Sequence, residues 1–217
     1  MRLTLRLFAS LREEIGKDGM ELELAEGSTV AELLALLQER YPAASSLQHV
    51  LLPAVNQRYV GEGTFNAMGV NNSLFTPVSG GEKDCFQVME EPLDMERVLE
   101  LAQSPEAGAV VLFIGTVRAH SAGREVLRLD YQAYTEMAEE MLAQVGEEIK
   151  GRWEVERVII HHRVGNLSVG EKTILIAIAS AHREDGFAAC RYGIDRVKEI
   201  APIWKKEVYP DGEAWVH

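Results

Sequence analysis

The sequence predicts an α+β fold in two units, a small N-terminal unit followed by a larger one. Two observations lead to this prediction. Stretches in which apolar and polar residues alternate, as in residues 3–7, recur along the 217-residue chain between stretches of helical periodicity. Residues 75–82, which read Phe-Thr-Pro-Val-Ser-Gly-Gly-Glu, then separate two sets of such elements. Pro77 favours an extended backbone here, and the pair Gly80-Gly81 by itself is most often a flexible linker.

The overall composition is that of a globular protein and argues against binding to nucleic acid. Apolar residues make up 47% of the chain and charged residues 26%, which are ordinary values. The formal net charge is −12 and no basic run offsets it, so nonspecific attraction to nucleic acid is disfavoured. The N-terminal residues alternate instead of forming an apolar segment, and no stretch approaches membrane-spanning length. We therefore expect a cytoplasmic protein without nucleic-acid or membrane partners.

The cysteines and the paired histidines do not form a metal-binding pattern. Cys85 and Cys190 are too few and too far apart for a disulfide framework, and Cys190 is expected in a core. His161 and His162 are adjacent on a predicted strand, so their rings point to opposite faces and cannot chelate one ion. We expect neither a metal nor a cofactor.

The N-terminal unit is predicted to contain one helix among several short strands. The first two strands should form a hairpin with a turn near residues 16–19. Thr29 and Glu32 have the spacing of a capping box, which predicts a helix that begins at Val30 and ends before Pro42. The predicted strands are residues 3–7, 20–24, 50–55, 59–60 and 74–75. Two strands, a helix and further strands, with a last strand that ends in Gly-Gly, are typical of a ubiquitin-like β-grasp domain.

The C-terminal unit is predicted to be α+β, without repeats. The nearly continuous apolar run at residues 109–117 predicts a strand buried on both faces. Met95 and Phe187 are predicted to point inward from their helices. The predicted helices are residues 94–102, a helix beginning at Thr135, and residues 184–200. The other predicted strands are residues 127–133, 155–162, 173–181 and 204–209.

Cationic residues recur at the ends of the predicted elements of this unit. Arg118 follows a buried strand, and His182 and Arg183 precede a helix, whose N-terminus favours anions. Lys198 lies on the exposed face of the last helix, and Lys205 follows a proline break. For each residue taken alone, a solvated surface charge is the simpler interpretation.

Four segments of the N-terminal unit together resemble the small, sulfur-carrying subunit of molybdopterin synthase. The segments are Leu-Phe-Ala-Ser-Leu-Arg-Glu at 7–13, Glu-Gly-Ser-Thr-Val at 26–30, Val-Asn at 55–56 and Phe-Thr-Pro-Val-Ser-Gly-Gly at 75–81. The resemblance covers residues 1–81. One departure is the turn at residues 68–72, which reads Met-Gly-Val-Asn-Asn where that family usually has acidic residues.

Five segments of the C-terminal unit are similar to the large subunit of the same enzyme. They lie at residues 113–118, 134–137, 162–165, 180–183 and 198–207, and the last two are the most distinctive. This resemblance implies that Lys198 and Lys205 are catalytic. It also implies that Arg118, His182 and Arg183 bind the anionic substrate.

The two resemblances imply one enzyme, a natural fusion with a sulfur-carrier domain at residues 1–81 and a catalytic domain at residues 82–217. Such an enzyme transfers sulfur from a thiocarboxylate on Gly81 to cyclic pyranopterin monophosphate, forming the dithiolene of molybdopterin. The implied partners are an enzyme that adenylates and sulfurates the Gly-Gly tail, and a second copy of the chain in a homodimer through the large domain. Lysines beside other cations lose a proton more readily, so they can act as bases as well as acids.

Gly81 is followed by Glu82, and this creates a chemical difficulty. A peptide carbonyl cannot carry a thiocarboxylate, so cleavage after Gly81 is predicted, at a polar and accessible site. In the alternative, the fusion stays uncleaved, the ubiquitin-like domain is a docked, non-catalytic module, and sulfur is supplied in trans. Whether the tail acts within its own chain or on a neighbouring chain also stays open.

Overall fold

A computed structural model describes residues 2–25, 27–41, 54–55, 58–59 and 84–216. The chain divides into two compact units, Met1–Thr76 and Pro77–His217. The predicted junction at Gly81, the Gly-Gly tail and the predicted strands at residues 50–52 and 74–75 lie outside the described residues.

The first two strands of the N-terminal unit pair as predicted, but a helix lies between them. Strand β1 (Arg2–Arg6) is antiparallel to β2 (Gly19–Glu23). In place of a simple turn, helix α1 (Ala9–Ile15) follows β1 and ends at Gly16, whose φ of 71° is a left-handed cap. The predicted pairing of the two strands is confirmed, but their connection also contains a helix that was not predicted. A helix of seven residues completes too few turns to produce a recognisable apolar period.

The predicted capping box is present at the start of helix α2 (Val30–Arg40). The Thr29 hydroxyl accepts a hydrogen bond from the Glu32 N–H at 3.2 Å, and the Glu32 carboxylate accepts one from the Thr29 N–H at 2.7 Å. These bonds satisfy backbone donors that a helix start leaves unpaired. Two further short strands, β3 (Ala54–Val55) and β4 (Arg58–Tyr59), pair antiparallel.

The C-terminal unit has the predicted mixture of long helices and strands. The helices are α3 (Met95–Leu101), α4 (Thr135–Lys150) and α5 (Arg183–Ile200). The strands are β5 (Phe86–Met89), β6 (Ala109–Thr116), β7 (His120–Ser121), β8 (Arg124–Glu125), β9 (Arg128–Ala133), β10 (Val155–Arg163), β11 (Gly165–Ser168), β12 (Lys172–Ser180), β13 (Ile203–Tyr209) and β14 (Gly212–Val216). The sequence did not predict strands β5, β7, β8, β11 and β14, which have two to five residues each and are too short to show a clear alternation.

The main core lies between a four-stranded sheet and helices α4 and α5. The sheet order is β5-β10-β12-β6, and helix α5 packs on β12 and β6. Two glycines permit the close approach of α5. A Cβ atom at Gly186 would lie 2.8 Å from Oγ of Ser180, and one at Gly193 would lie 3.2 Å from Cδ1 of Ile149. Cys190 is buried in this core, as predicted.

Strand β6 is an edge strand, so the prediction that both of its faces are buried is wrong. Among the described residues, β6 pairs only with β12. Val111 packs near Gly186 of α5, whereas Val110 and Ile114 point the other way and are 43% and 40% exposed. A continuous apolar run predicts a strand, but it does not distinguish a strand whose two faces are both buried from one whose outer face lies at the surface. The outer face of β6 is therefore an exposed apolar stripe.

Met95 and Phe187 are exposed, which corrects the prediction that both point inward. Their exposed fractions are 38% and 63%. Phe187 is the fifth residue of α5, and its neighbour Gly186 contacts the sheet instead. Periodicity scored on large apolar side chains passes over glycine, so it assigned the buried position to the wrong neighbour.

A second sheet, in the order β11-β9-β13-β14, covers a smaller core. The hairpin between β13 and β14 closes with Tyr209 opposite Gly212, around a Pro-Asp-Gly turn. The residues of this core are Val117, Val126, Leu129, Leu167 and Tyr209. This sheet carries Lys205.

Candidate active site

Lys205 lies on strand β13 and is paired with a buried carboxylate. Its partner across the sheet is Tyr131 of β9. Since strand residues alternate, Lys205 and Glu207 share one face of β13, and Lys206 points to the other face, where it binds Glu213 at 2.9 Å. The ammonium of Lys205 lies 3.3 Å from Oε1 of Glu207. The Lys205 side chain is 29% exposed and that of Glu207 only 4%.

Three donors surround the Glu207 carboxylate. Besides Lys205, the hydroxyl of Ser121 donates to Oε1 at 3.1 Å and that of Tyr209 donates to Oε2 at 2.7 Å. Burial by itself raises the pKa of Glu207, but the hydrogen bonds from Tyr209 and Ser121 and the charge of Lys205 outweigh it, so the net pKa is lowered. Glu207 is therefore an anion at neutral pH, and the charged group beside Lys205 is an anion, not another cation.

Arg118 precedes a tight hairpin that is attached to β13, the strand that carries Lys205. Its neighbours are fixed on both sides, since Val117 N–H donates to the Glu171 carbonyl at 3.0 Å and Val126 N–H to the Ala119 carbonyl at 2.8 Å. The Arg118 side chain is exposed and makes no hydrogen bond or ion pair with any residue that the structure describes. Arg118 thus combines an anchored backbone with an uncommitted guanidinium.

Strands β7 and β8 form this hairpin, and two hydrogen bonds tie it to the β13–β14 hairpin. Its turn, Ala122-Gly123, has positive φ at both residues, 49° and 81°, as the tightest hairpins require. Arg124 donates to Asp211 at 2.7 Å, and its guanidinium lies 3.6 Å from the centroid of the Tyr209 ring. Together with the Ser121–Glu207 bond, these contacts hold the hairpin against the strand that carries Lys205.

Lys198 lies in the last turn of α5, close in sequence to β13. The helix ends at Ile200 with an extended Ala201, after which Pro202 leads directly into the strand. The Lys198 side chain is exposed and, within the described part of the chain, has no hydrogen-bond or ion-pair partner. A helix C-terminus carries a partial negative charge, which favours a cation at this position.

His182 and Arg183 begin α5 at the end of β12. The Ser180 hydroxyl donates to the His182 carbonyl at 2.8 Å, and Gly108 N–H donates to the Ser180 carbonyl at 3.0 Å, which fixes this corner beside the start of β6. Both side chains are exposed, and neither has a side-chain partner among the residues described. The first residues of a long helix present backbone donors that suit an anion.

The five predicted site residues fall into two groups at opposite ends of the sheet. The antiparallel register of β6 and β12 runs from Thr116 opposite Lys172 to Ala109 opposite Ser180. Ala109 and Thr116 are seven residues apart on β6, so the two ends are about 24 Å apart at a rise of roughly 3.4 Å per residue. The lysine group, at the Thr116 end, is Arg118, Lys198 and Lys205. The anion pair, at the Ala109 end, is His182 and Arg183.

A sequence profile of the MoaE protein family matches residues 88–200, over half of the chain. The chain belongs to the MoaE family. A profile of the ThiS family matches residues 5–81. The chain is thus a fusion of a ThiS segment, which is ubiquitin-like, with a MoaE segment. The predicted fold class is confirmed.

Curated relatives and a solved structure are similar to the MoaE segment. The molybdopterin synthase catalytic subunit of Halalkalibacterium halodurans is 48% identical over 131 residues, which are 60% of this chain and 84% of the relative. The Bacillus subtilis catalytic subunit is 44% identical, over 60% of this chain and 83% of the relative. The crystal structure of molybdopterin synthase from Staphylococcus aureus aligns with a TM-score of 0.59 and 42% identity, covering 61% of this chain and 96% of that one.

These matches support an enzyme with a role in molybdenum cofactor biosynthesis. Within the described ranges, no group of three or more His, Cys, Asp or Glu side chains is arranged to hold a metal ion. No helix in the described part of the MoaE-family chain is both long and apolar enough to cross a membrane. His161 and His162 point to opposite faces, as predicted: Nε2 of His161 contacts the Asp84 carbonyl at 2.8 Å, and His162 packs edge-on against Tyr131.

Sequence reasoning missed the residues that hold the lysine group together. Glu207 is the last residue of the segment at 198–207, which reads Lys-Lys-Glu at its end, and no motif includes Ser121 or Tyr209. The pattern alone could have predicted that Lys205 and Glu207 share a strand face, because a spacing of two does so. The bond from Ser121, which is 86 residues from Glu207, has no sequence signal.

Proposed function

We propose that this chain is a molybdopterin synthase made as one polypeptide. Its MoaE unit transfers sulfur to cyclic pyranopterin monophosphate and forms the dithiolene of molybdopterin. The observation that carries this proposal is the lysine group: Lys205 is held beside a buried carboxylate, next to a hairpin that anchors Arg118, and Lys198 lies at the same end of the sheet. This is a combination of acid–base and anion-binding groups that the reaction needs.

The two lysines have different surroundings, which supports different roles. Lys205, whose side-chain nitrogen lies 3.3 Å from the Glu207 carboxylate, serves as the acid that activates the thiocarboxylate or protonates the leaving oxygen. Lys198 has no described partner and serves as the covalent or acid–base group toward the substrate. The sequence led us to expect other cations beside the lysines, whereas the charged neighbour of Lys205 is an anion.

The phosphate of the substrate is bound by Arg118 together with the anion pair, His182 and Arg183. Guanidinium groups bind phosphate oxygens through charge-assisted hydrogen bonds, often two at a time. Within one chain these residues lie at opposite ends of the sheet, about 24 Å apart by strand register. A phosphate cannot bridge that distance, so the anion pair at each site comes from a second copy of the chain.

The open edge of β6 supports a homodimer with this arrangement. Val110 and Ile114 form an exposed apolar stripe along an edge strand, a surface that proteins usually cover. If two copies pair β6 edges about a two-fold axis, the strands run antiparallel and the Ala109 end of one meets the Thr116 end of the other. Each anion pair then lies beside the lysine group of the other copy, and the dimer has two equivalent sites.

Gly81 supplies the sulfur as a thiocarboxylate. This requires a free carboxylate, hence cleavage between Gly81 and Glu82, and a partner enzyme that adenylates and sulfurates the tail. In the alternative, the chain stays whole and sulfur arrives in trans. The intact mass of the chain from its native host separates them: two fragments meeting at Gly81/Glu82, the smaller with one sulfur in place of one oxygen, support cleavage. A single uncleaved mass favours the alternative.

The proposed function is tested by deleting the gene in the native host and measuring molybdopterin in cell extracts. Loss of molybdopterin, restored by the full chain from a plasmid, is expected. Undiminished molybdopterin in the deletion strain would contradict the proposal. The same strain and plasmid provide the complementation assay for the variants below.

A further inference from the structure

The carboxylate of Glu207 joins two separate elements, β13 and β7, at the lysine group. It accepts from Lys205 and Tyr209 on its own strand, and from Ser121 on β7, which is 86 residues away in sequence. Its side chain is only 4% exposed. A buried carboxylate is tolerated where its oxygens are saturated with donors, and here each oxygen has at least one.

The surroundings of Glu207 contain few other charges. Lys205 and Tyr209 face it from β13, and Tyr131 faces it from β9. Arg124 of β8 acts on it more remotely, across the Tyr209 ring. Glu207 is therefore the single carboxylate, among the described residues, within ion-pair distance of the Lys205 ammonium.

The bond from Ser121 connects this carboxylate to Arg118. Ser121 lies three residues after Arg118, and the Ala119–Val126 hydrogen bond closes the hairpin between them. A displacement of Ser121 thus moves the segment that carries the Arg118 guanidinium. Loss of the Glu207 carboxylate would remove the anionic partner of Lys205 and one of the two hydrogen bonds that hold this hairpin, leaving the Arg124–Asp211 bond.

We propose that Glu207 is a positioning residue that fixes the Lys205 ammonium and the hairpin following Arg118 in one arrangement. The inference rests on the proposed function of the lysine group. Glu207 itself need not touch the substrate. Misplacement of a reacting group by about 1 Å can cost on the order of 10²-fold in rate, so a residue of this kind strongly affects turnover.

The test compares Glu207→Gln with Glu213→Gln in the full chain. Glu213 is the matched control because it pairs with Lys206 at 2.9 Å on the neighbouring strand, on the opposite face from Lys205. In the complementation assay, Glu207→Gln is expected to lower molybdopterin formation on the order of 10²-fold, whereas Glu213→Gln leaves it unchanged. Glu207→Asp, which keeps the charge, should recover part of the loss.

A spectroscopic readout separates this inference from the proposed function. The chain has seven lysines, so ¹³C-labelled lysine gives few side-chain resonances, and Lys205→Arg assigns the one in question. Glu207→Gln is expected to shift the Lys205 resonance, and Glu213→Gln that of Lys206 only. An unmoved Lys205 resonance in folded Glu207→Gln protein would overturn the inference, whatever the activity of the wild type.

Ser121→Ala keeps the inference testable if Glu207→Gln does not fold. This variant retains the Lys205–Glu207 pair and removes only the link to the hairpin. It is expected to weaken binding of cyclic pyranopterin monophosphate on the order of 10-fold, because the hairpin that follows Arg118 loses one of its two hydrogen bonds to the β13–β14 hairpin. Wild-type affinity in Ser121→Ala would overturn the claim that Glu207 positions the hairpin.

Discussion

The two ends of the β6–β12 pair carry cations in opposite circumstances. At the Thr116 end, Lys205 is held by Glu207, and the hairpin after Arg118 is bonded to β13. At the Ala109 end, His182 and Arg183 begin a helix with no side-chain partner among the described residues. One cation at the Thr116 end, Lys205, has an anionic partner in its own chain, whereas neither member of the anion pair has one among the described residues. The difference supports a site in which the anion pair serves another copy.

The largest expected effect is at the Thr116 end, which carries the lysine group. Lys198→Ala and Lys205→Ala should each lower molybdopterin formation in the complementation assay on the order of 10²–10⁴-fold, the range for loss of a proton-transfer group. Lys206→Ala is the matched control, because Lys206 neighbours Lys205 but points to the opposite face and pairs with Glu213. Full activity in either lysine variant would remove that residue from the mechanism.

The next effect breaks the proposed contact between copies. Ile114→Lys places a charge on the exposed outer face of the edge strand, where the wild-type side chain is 40% exposed, so the fold of the single chain should be unaffected. The variant is expected to be monomeric by light scattering and to lose activity on the order of 10-fold or more, since its composite sites are lost.

Met95→Lys is the matched control for that variant. Met95 is exposed to a similar extent, 38%, but lies on α3. The Met95→Lys variant should remain dimeric and active. An Ile114→Lys protein that is dimeric with full activity would show that the β6 edge is not the interface.

The smallest expected effect on activity concerns the middle of α5, between the two ends. Arg196 and Gln144 donate to Glu148 at 3.0 and 2.9 Å, and Tyr192 also donates to it. Burial alone raises the pKa of Glu148, but these hydrogen bonds lower it to about 2. Because this lies below the ordinary 4.5, the stabilisation is present above about pH 4.5 and is lost as the pH falls toward 2.

Glu148→Gln should therefore reduce the free energy of unfolding by about 2 kcal/mol at pH 7, and the difference from wild type should shrink in acid. Glu147→Gln, a neighbour that is 70% exposed and pairs with Lys150, should change it by less than about 0.5 kcal/mol. Urea unfolding at pH 7 and pH 3 measures both. Activity at neutral pH should be unchanged, and a pH-independent difference would contradict the assigned cause.

Most elements of the fold follow from local patterns in the sequence, and the exceptions have physical causes. The capping box at Thr29 and the alternating strand at β9 are specified by residues close together, so they could be predicted. The edge position of β6 depends on which strands pair with it, and an apolar run does not encode that. Phe187 was misplaced because Gly186 occupies the buried position.

The site residues could be named from the sequence, but their grouping could not. Arg118, His182 and Arg183 fit one phosphate by residue type, whereas the antiparallel register of β6 and β12 places them at opposite ends. The role of Glu207 depends on a contact with Ser121 across 86 residues. Both features arise from tertiary pairing, which motifs and periodicity do not report.

The most direct test of the shared site is to combine two inactive variants. Arg118→Ala and Arg183→Ala are each expected to be nearly inactive in the complementation assay. When both are expressed together, half of the randomly formed dimers are mixed, and each mixed dimer has one site with both arginines intact. The account predicts recovery to about one quarter of the wild-type activity. If each site lies within one chain, every site lacks one arginine and co-expression restores nothing. Activity that stays at the level of the single variants would therefore contradict the account.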